Sequence, residues 1–270
     1  MAIITISRGT FAGGARLASI LGARPGYRVV SREQLYERAR VVYGISVEEF
    51  VGLMERAPSA LHRGARQSRR LLVALQATMC ELVLDDNVIY HGHSGHLFLP
   101  DVAHVVRVRL IAPRGVRVEM AMQREGISEY EANVKIDQVD AERTRWSLFF
   151  YGHQWGDPAQ YDVTLNLDRM SVEDAAVIVG DMTMLPPFQT TEASRRRLRD
   201  VALESLVKAR LMFDPVMGGA DVEVEARDGH VRLIGVAGEQ HALWAKEQVG
   251  RLPGVAHVDA GPALRGAGGA

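Results

Sequence analysis

The sequence predicts two domains: an α/β domain with a parallel sheet, then a small α+β domain. Short β-branched strands alternate with amphipathic helical segments as far as about residue 184, a pattern typical of a parallel sheet with helices on both faces. The prolines of 185–188 interrupt this pattern, and beyond them two strands are joined by Asp228-Gly229, a hairpin signal. The predicted boundaries are 1–185 and 192–261 for the domains, 186–191 for a linker and 262–270 for a flexible tail.

The composition is that of an ordinary globular protein. Of 270 residues, 47% are hydrophobic and 24% are charged, and the formal net charge is −1. Without a basic excess there is no overall field for nucleic acid or anionic lipid, so we expect no nucleic-acid partner. Cys80 is the single cysteine, which excludes an intrachain disulfide. No apolar run reaches the length of a membrane span and the chain opens on a strand, so we expect a cytoplasmic protein.

The first strand, turn and helix predict a phosphate-binding site. The β-branched run 3–6 leads into a glycine-containing turn, 7–14, which runs directly into an apolar-periodic helix. Backbone N–H groups of such a turn and the positive end of the helix dipole favour an anion. The Walker pattern is imperfect, since Arg8 stands where the first glycine is expected and Gly14 where the lysine is expected. The alternative is a glycine-tolerant turn at the start of any α/β domain.

Capping and turn signals predict the other elements of the first domain. Three serines are followed three positions later by Glu or Gln, which makes a capping box that opens a helix: Ser31, Ser46 and Ser128. Periodicity predicts further helices at 67–84, 114–125 and 171–184, and strands at 27–30, 88–90, 105–111 and 161–167. Residues 55–66 are polar and contain Pro58 and Gly64, so we expect a mobile connection there.

The second domain has a different order of elements. The predicted order is a helix over 191–213, strands over 221–226 and 230–236, a helix over 239–251 and a strand over 255–259.

Residues 3–184 resemble the cytidylate kinase-like family of P-loop nucleoside monophosphate kinases. The matching residues, in order, are 88–92, 105–113, Arg117, Met122, 124–128, Ala132, Asp140, Arg143, 156–158, 161–162 and 166–168. The resemblance implies a P-loop NTPase-type sheet. It also implies transfer of the γ-phosphate of ATP, with Mg²⁺, to a CMP- or dCMP-type acceptor.

The opening turn is similar to that of the family, which also lacks the loop lysine. The resemblance implies that the nucleotide phosphates are held by Ser7, Arg8, Gly13, Gly14 and Arg16. This chain departs from the family in having Phe11 at a glycine position and Ala15 at an arginine position. Arg16 substitutes only with a shift of one residue, which turns a helical side chain by about 100°.

Phosphoryl transfer requires cations around the transferring oxygens, and arginine suits phosphate well. Arg117 and Arg124 are seven residues apart and share one helix face, and Arg143 follows on the next helix with Asp140 three residues earlier. By resemblance these four residues are catalytic: the arginines neutralise charge and Asp140 orients an arginine. The alternative is a solvated helix face with surface salt bridges, which applies most strongly to Arg145.

The turn after the third strand is expected to bind the acceptor. The family has Gly-Arg there, whereas this chain has Gly92-His93, so a permanent charge becomes a titratable one. His91, His93 and His96 also admit a metal site, although no Cys or carboxylate lies at usable spacing, and a polar turn is favoured. An arginine run provides an alternative acceptor contact or a solvated face: Arg63, Arg66, Arg69 and Arg70.

The second domain resembles the BON domain, through 222–224, 228–236, 240–249 and 253–258. The resemblance implies a hydrophobic or lipid ligand or a protein partner, and a packing or dimerisation module is the alternative. For the whole chain, the alternative to a kinase is a catalytically degenerate nucleotide-binding protein whose BON domain binds a second ligand.

Overall fold

The computed structural model describes residues 2–55, 62–217, 220 and 222–261. Its first domain contains a five-stranded, fully parallel sheet with the strand order β2-β3-β1-β4-β5. The strands are β1 (Ile3–Arg8), β2 (Arg28–Ser31), β3 (Val88–His91), β4 (Val105–Ile111) and β5 (Val163–Asn166). The predicted parallel α/β sheet is therefore confirmed.

Helices cover both faces of this sheet. They are α1 (Gly14–Gly22), α2 (Arg32–Tyr43), α3 (Val47–Glu55), α4 (His62–Val83), α5 (Arg114–Glu125), α6 (Glu129–Tyr151) and α7 (Val172–Met182). Alternate residues of β1 serve the two faces: Ile4 and Ile6 pack with α1 and α7, whereas Ile3 packs with α2, α3 and α4. Burial on both faces explains why β1 reads as a continuous apolar run rather than an alternating one.

The three predicted capping boxes form. Ser31 and Ser128 exchange reciprocal hydrogen bonds with the residue three positions later, and Ser46 does the same with Glu49. The boundary of α4 differs from the prediction, because the helix begins at His62 rather than at residue 67. Residues 56–61 of the predicted mobile connection lie outside the described residues, as does the predicted tail at 262–270.

The strand register fixes which loops meet. His91 at the end of β3 pairs with Ser31 of β2 and with Ile6 of β1, and Ser7 pairs with Arg109 of β4. Because the carboxyl ends of parallel strands share one edge, the segments that follow β1, β2, β3 and β4 converge there.

The second domain is a small α+β unit, as predicted. Its elements are α8 (Glu192–Met212), β6 (Glu223–Arg227), β7 (His230–Ile234), α9 (Glu239–Gly250) and β8 (His257–Gly261). The sheet order is β6-β7-β8, with an antiparallel β6–β7 hairpin and a parallel β7–β8 pair. Asp228 and Gly229 have φ of 50° and 81°, the left-handed backbone that a two-residue hairpin turn requires.

Helix α8 belongs to the cores of both domains. Leu198 and Val201 are buried in the core that contains β1 and α4, whereas Leu203 and Val207 are buried against the second sheet. Met212 extends the first contact by packing with α4. The predicted domain boundary at residue 192 therefore coincides with the start of a helix that both domains use.

No helix among the described residues is long and apolar enough to cross a membrane.

Candidate functional site

The turn between β1 and α1 presents the N-terminus of α1. Gly13 is the N-cap residue with φ of 80°, in the left-handed region, and no side chain caps the helix. The first N–H groups of an α-helix have no partner within the helix, so they are available to an anion.

Arg8 lies across this helix N-terminus. A Cβ added to Gly14 would lie 2.3 Å from the Arg8 Cδ atom, so only glycine allows Arg8 to run over the backbone at this point. The pKa of Arg8 is lowered by burial and by the charge of Arg32. Arg8 therefore brings a cation to the helix end, where the Walker pattern places a lysine.

Phe11 lies in the turn between β1 and α1, and its ring packs toward α5 and α6. Its φ of 63° is unusual for an aromatic residue. The ring packs against the small core between α5 and α6, which includes Val118, Ala121 and Ile136. This packing offsets the backbone strain and fastens the turn to the two helices.

Asp140 of α6 connects the turn to α5. Its carboxylate accepts hydrogen bonds from the Thr10 hydroxyl (2.7 Å), from the Thr10 backbone N–H (3.3 Å) and from the Arg117 guanidinium. Arg117 also donates through Nε to the Thr10 carbonyl at 2.8 Å. These bonds form a closed ring, so Asp140 orients Arg117 and the loop together.

Arg143, one turn further along α6, adds a second guanidinium group beside Arg8. Its guanidinium donates to the Arg8 carbonyl at 3.0 Å, and its Cζ atom lies 5.3 Å from the centre of the Trp155 ring. Burial and then the Arg8 charge lower the pKa of Arg143 to about 10, although Asp140 acts in the opposite direction. Two half-buried, mutually repelling guanidinium groups favour an anionic ligand.

Arg32 is a site residue that the sequence reasoning missed. It begins α2 directly after β2. Its charge contributes to the lowered pKa of Arg8, after burial, and to that of Arg143, after burial and the Arg8 charge. The available signal was its position: a cation immediately after a strand whose carboxyl end lies at the same edge as the phosphate loop.

Two predicted arginines lie at or beyond the margin of the site. Arg124 is exposed near the end of α5, yet its charge still contributes to the lowered pKa of Arg8, after burial and Arg32. Arg16 points to the outside of α1, where it forms an exposed salt bridge of 2.9 Å with Glu173 of α7. The one-residue shift thus turns Arg16 away from the loop.

Ser7 is buried beneath the loop. Its hydroxyl oxygen accepts hydrogen bonds from the Trp155 indole at 3.1 Å and from the Tyr161 hydroxyl at 3.3 Å. These contacts hold the end of β1 in place beneath the loop.

The predicted acceptor residues lie at the end of β3. Gly92 donates its N–H to the Ile6 carbonyl at 3.2 Å, and a Cβ at Gly92 would clash with the Tyr90 hydroxyl. His93 is buried edge-on against Trp146, with ring centroids 4.9 Å apart. Burial, and then the Arg143 charge, lowers the pKa of His93 well below its ordinary value. The side chain at position 93 is therefore a neutral imidazole rather than the titratable charge that the sequence predicts.

The other candidate clusters do not converge on the loop. No group of three or more His, Cys, Asp or Glu residues within the described part of the chain is arranged to hold a metal ion. Arg70 stacks on Phe213, and the charge of Arg69 contributes to the lowered pKa of Lys208 on α8, after burial. Arg69 and Arg70 thus lie beside α8 and Phe213, and the Arg63 side chain lies outside the described residues.

Comparisons with known proteins give matches for both domains. A family model described as cytidylate kinase-like matches residues 3–169, and a BON domain model matches residues 199–261. A cytidylate kinase of Pyrococcus horikoshii is 25% identical over 177 residues, which are 66% of this chain and 85% of that protein. A cytidylate kinase of Thermoplasma volcanium is also 25% identical over 177 residues, covering 65% and 88% respectively. The crystal structure of an uncharacterized protein from Eubacterium ventriosum shares the fold, with a TM-score of 0.53 and 19% identity over 67% of this chain and 97% of that one.

Proposed function

This chain belongs to the cytidylate kinase-like family, and on that premise we propose that it transfers the γ-phosphate of ATP to a CMP- or dCMP-type acceptor. The observation that carries the proposal is the pair Arg8 and Arg143, two half-buried guanidinium groups with lowered pKa values beside the N-terminus of α1. A polyphosphate bound there relieves their repulsion and meets the helix dipole. The acceptor class follows the two relatives, which are cytidylate kinases.

In this proposal the donor phosphates bind the loop. The N–H groups at Gly13 and Gly14 and the Arg8 guanidinium contact the phosphate oxygens, while Ser7 supports the loop from beneath. Arg16 does not contact the phosphates in this proposal, because it pairs with Glu173 on the outer face of α1.

Mg²⁺ fits beside these phosphates. The ion would be held by phosphate oxygens and water, with the Thr10 hydroxyl oxygen next to the loop, because both Asp140 carboxylate oxygens already accept hydrogen bonds from Thr10 and Arg117. When bound, the ion neutralises negative charge on the phosphates.

Three arginines are assigned to the transferring phosphoryl group. Arg117 and Arg143 approach from α5 and α6, and Arg124 contributes its charge from the exposed end of α5. Asp140 orients Arg117 through the ring of hydrogen bonds with Thr10. On the acceptor side we assign the turn at Gly92 and His93, where Gly92 makes room for the Tyr90 hydroxyl and the buried His93 ring carries no charge.

A matched pair of variants on α6 tests the proposal. The assay measures ADP formation by the full-length chain with ATP, Mg²⁺ and each common nucleoside monophosphate. We expect Arg143→Gln to lower kcat/KM for CMP by roughly 100-fold, because it removes a cation from the transferring charge. Arg145→Gln is the control, since Arg145 is exposed and paired with Glu142 on the same helix. Absence of turnover with every acceptor removes the kinase proposal.

A second candidate is nucleotide binding without transfer. Two observations favour it: Arg16 is held in a salt bridge outside the site, and position 93 carries no charge. A rise in melting temperature with Mg-nucleotide, without turnover, would support this candidate.

For the second domain we propose a hydrophobic or lipid ligand or a protein partner. A cavity of about 820 Å³ between α4, α8 and the turn at 253–256 supports this, with Leu84, Ala202 and Leu206 in its lining. Native mass spectrometry of the purified full chain tests whether a ligand is retained. If the protein carries no ligand even when lipid is added, a packing or dimerisation role for the second domain is favoured.

A further inference from the structure

The guanidinium group of Arg143 is oriented by uncharged partners. It donates a hydrogen bond to the Arg8 carbonyl at 3.0 Å, and its Cζ atom lies 5.3 Å from the centre of the Trp155 ring. Asp140, three residues earlier on α6, forms its ion pair with Arg117 instead. A carboxylate partner would cancel part of the charge of Arg143, whereas a carbonyl oxygen and an aromatic face orient the cation and leave its charge to a bound anion.

Trp155 is itself held firmly in place. It lies in the segment that follows α6, and it is 6% exposed. Its carbonyl oxygen accepts hydrogen bonds from the Arg109 guanidinium at 2.8 Å and from the Tyr161 hydroxyl at 3.0 Å. The Arg109 Cζ atom also lies 4.3 Å from the centre of the indole ring. Strand β4 and the residues before β5 therefore fix the indole that Arg143 contacts.

The indole also connects Arg143 to the phosphate loop. Its Nε1–H donates to the Ser7 hydroxyl oxygen at 3.1 Å, and Ser7 directly precedes Arg8, whose carbonyl accepts the bond from Arg143. These contacts close a ring through Ser7, Arg8, Arg143 and Trp155. The ring ties α6 to the end of β1 independently of the hydrogen bonds made by Asp140.

We infer that Trp155 is the positioning residue of Arg143. The inference rests on the proposed function and adds to it a residue that acts through an arginine rather than on the nucleotide. The indole keeps the guanidinium group beside the N-terminus of α1 and leaves its positive charge to the donor phosphates. An arginine that is already fixed loses less side-chain entropy when the phosphates bind.

A double-mutant cycle in the full-length chain tests this role. Calorimetry measures the affinity for a non-hydrolysable ATP analogue with Mg²⁺. We expect Trp155→Leu to weaken this affinity roughly tenfold, and Trp155→Phe, which keeps an aromatic face, to stay within about threefold of wild type. When Arg143→Gln is already present, Trp155→Leu should weaken the affinity by less than about twofold, because its effect passes through Arg143. A purely structural role for Trp155 gives the same loss with either residue at position 143.

Trp244→Leu is the matched control, since Trp244 is a partly buried tryptophan of α9 whose indole donates to Asp214 in the second domain. Circular dichroism melting of each variant detects loss of folding. If Trp155→Leu does not fold, Trp155→Met takes its place in the cycle, because methionine fills irregular core space without an aromatic face.

Two results overturn the inference: equal losses from Trp155→Leu with Arg143 and with Arg143→Gln, or equal affinities of Trp155→Leu and Trp244→Leu. If the wild type binds the analogue but transfers no phosphate, the kinase proposal fails and the inference stands, because the inference concerns binding of the donor phosphates. A wild type that binds no analogue overturns both.

Discussion

Replacing Asp140 with alanine tests whether one carboxylate holds the phosphate loop to α5 and α6. The side chain accepts two hydrogen bonds from Thr10 and one from Arg117, and it is 27% exposed, against 14% for Arg117. Hydrogen bonds to a charged group contribute about 1.5–3 kcal/mol each. Bonds that share one carboxylate do not add fully, so we expect Asp140→Ala to lower the free energy of unfolding by on the order of 3 kcal/mol.

Asp137→Ala is the control for this change. Asp137 lies on the same helix and pairs with Arg114, but its side chain is 68% exposed, so solvent screens the pair and its loss has little effect. Urea unfolding of both variants gives the stabilities, and calorimetry with Mg-ATP gives the affinities. We expect Asp140→Ala also to weaken Mg-ATP by tenfold or more, because Arg117 and the loop lose their shared anchor. Equal stabilities and equal affinities in the two variants would refute the reasoning.

Three further predictions concern the loop, a buried histidine and α8. We expect Gly14→Ala to weaken the binding of Mg-ATP at least tenfold while its circular dichroism stays native, because the added Cβ would meet Arg8. Gly52→Ala is the control, since a Cβ there meets open space. Equal calorimetric affinities of the two variants would contradict the prediction. Burial lowers the pKa of His96 from 6.5 to about 3, so between those values the unfolded chain binds more protons than the folded one. The free energy of unfolding should therefore fall as the pH is lowered, by about 2 kcal/mol from this residue between pH 7 and 5. In urea unfolding His96→Asn should show a smaller pH difference than wild type, and an unchanged difference would be contrary evidence. A chain that ends before α8 should lose the cooperative urea unfolding of the first domain, and one that ends after α8 should retain it, because α8 completes the first core. Cooperative unfolding of the shorter chain would contradict the shared core.

Local signals predicted the elements of the fold. The capping boxes at Ser31, Ser46 and Ser128 and the continuous apolar run of β1 depend on neighbours within a few residues, and the structure agrees with them. The sharing of α8 between two cores could not be predicted in this way. Leu198 and Leu203 look alike in sequence, and only the tertiary packing sends them to different domains.

The candidate site shows the same contrast between features that depend on local spacing and features that depend on distant contacts. Helix spacing predicted that Asp140 and Arg143 are neighbours on one helix, and in the structure Asp140 contacts Thr10 and Arg143 contacts the Arg8 carbonyl. The positions of Arg16 and His93 depend on distant partners: Glu173 draws Arg16 outward, and two tryptophans enclose His93. Such contacts lie far apart in the chain, so no local pattern reports them.

The conformation of Phe11 shows most clearly what a local sequence pattern does not predict. By resemblance to the family, Phe11 stands at a position where glycine is expected. In the structure its left-handed backbone directs the ring into the core between α5 and α6, where it anchors the loop. The direction of the Phe11 ring depends on the backbone dihedral angle φ at this residue and on the packing of the ring with α5 and α6.

A crystal structure of the full-length chain with ADP, Mg²⁺ and CMP tests the central claim most directly. The account predicts the ADP phosphates at the N-terminus of α1, with the Arg8 and Arg143 guanidinium groups within about 3 Å of their oxygens. Nucleotide bound elsewhere, or both guanidinium groups turned away from its phosphates, would contradict it.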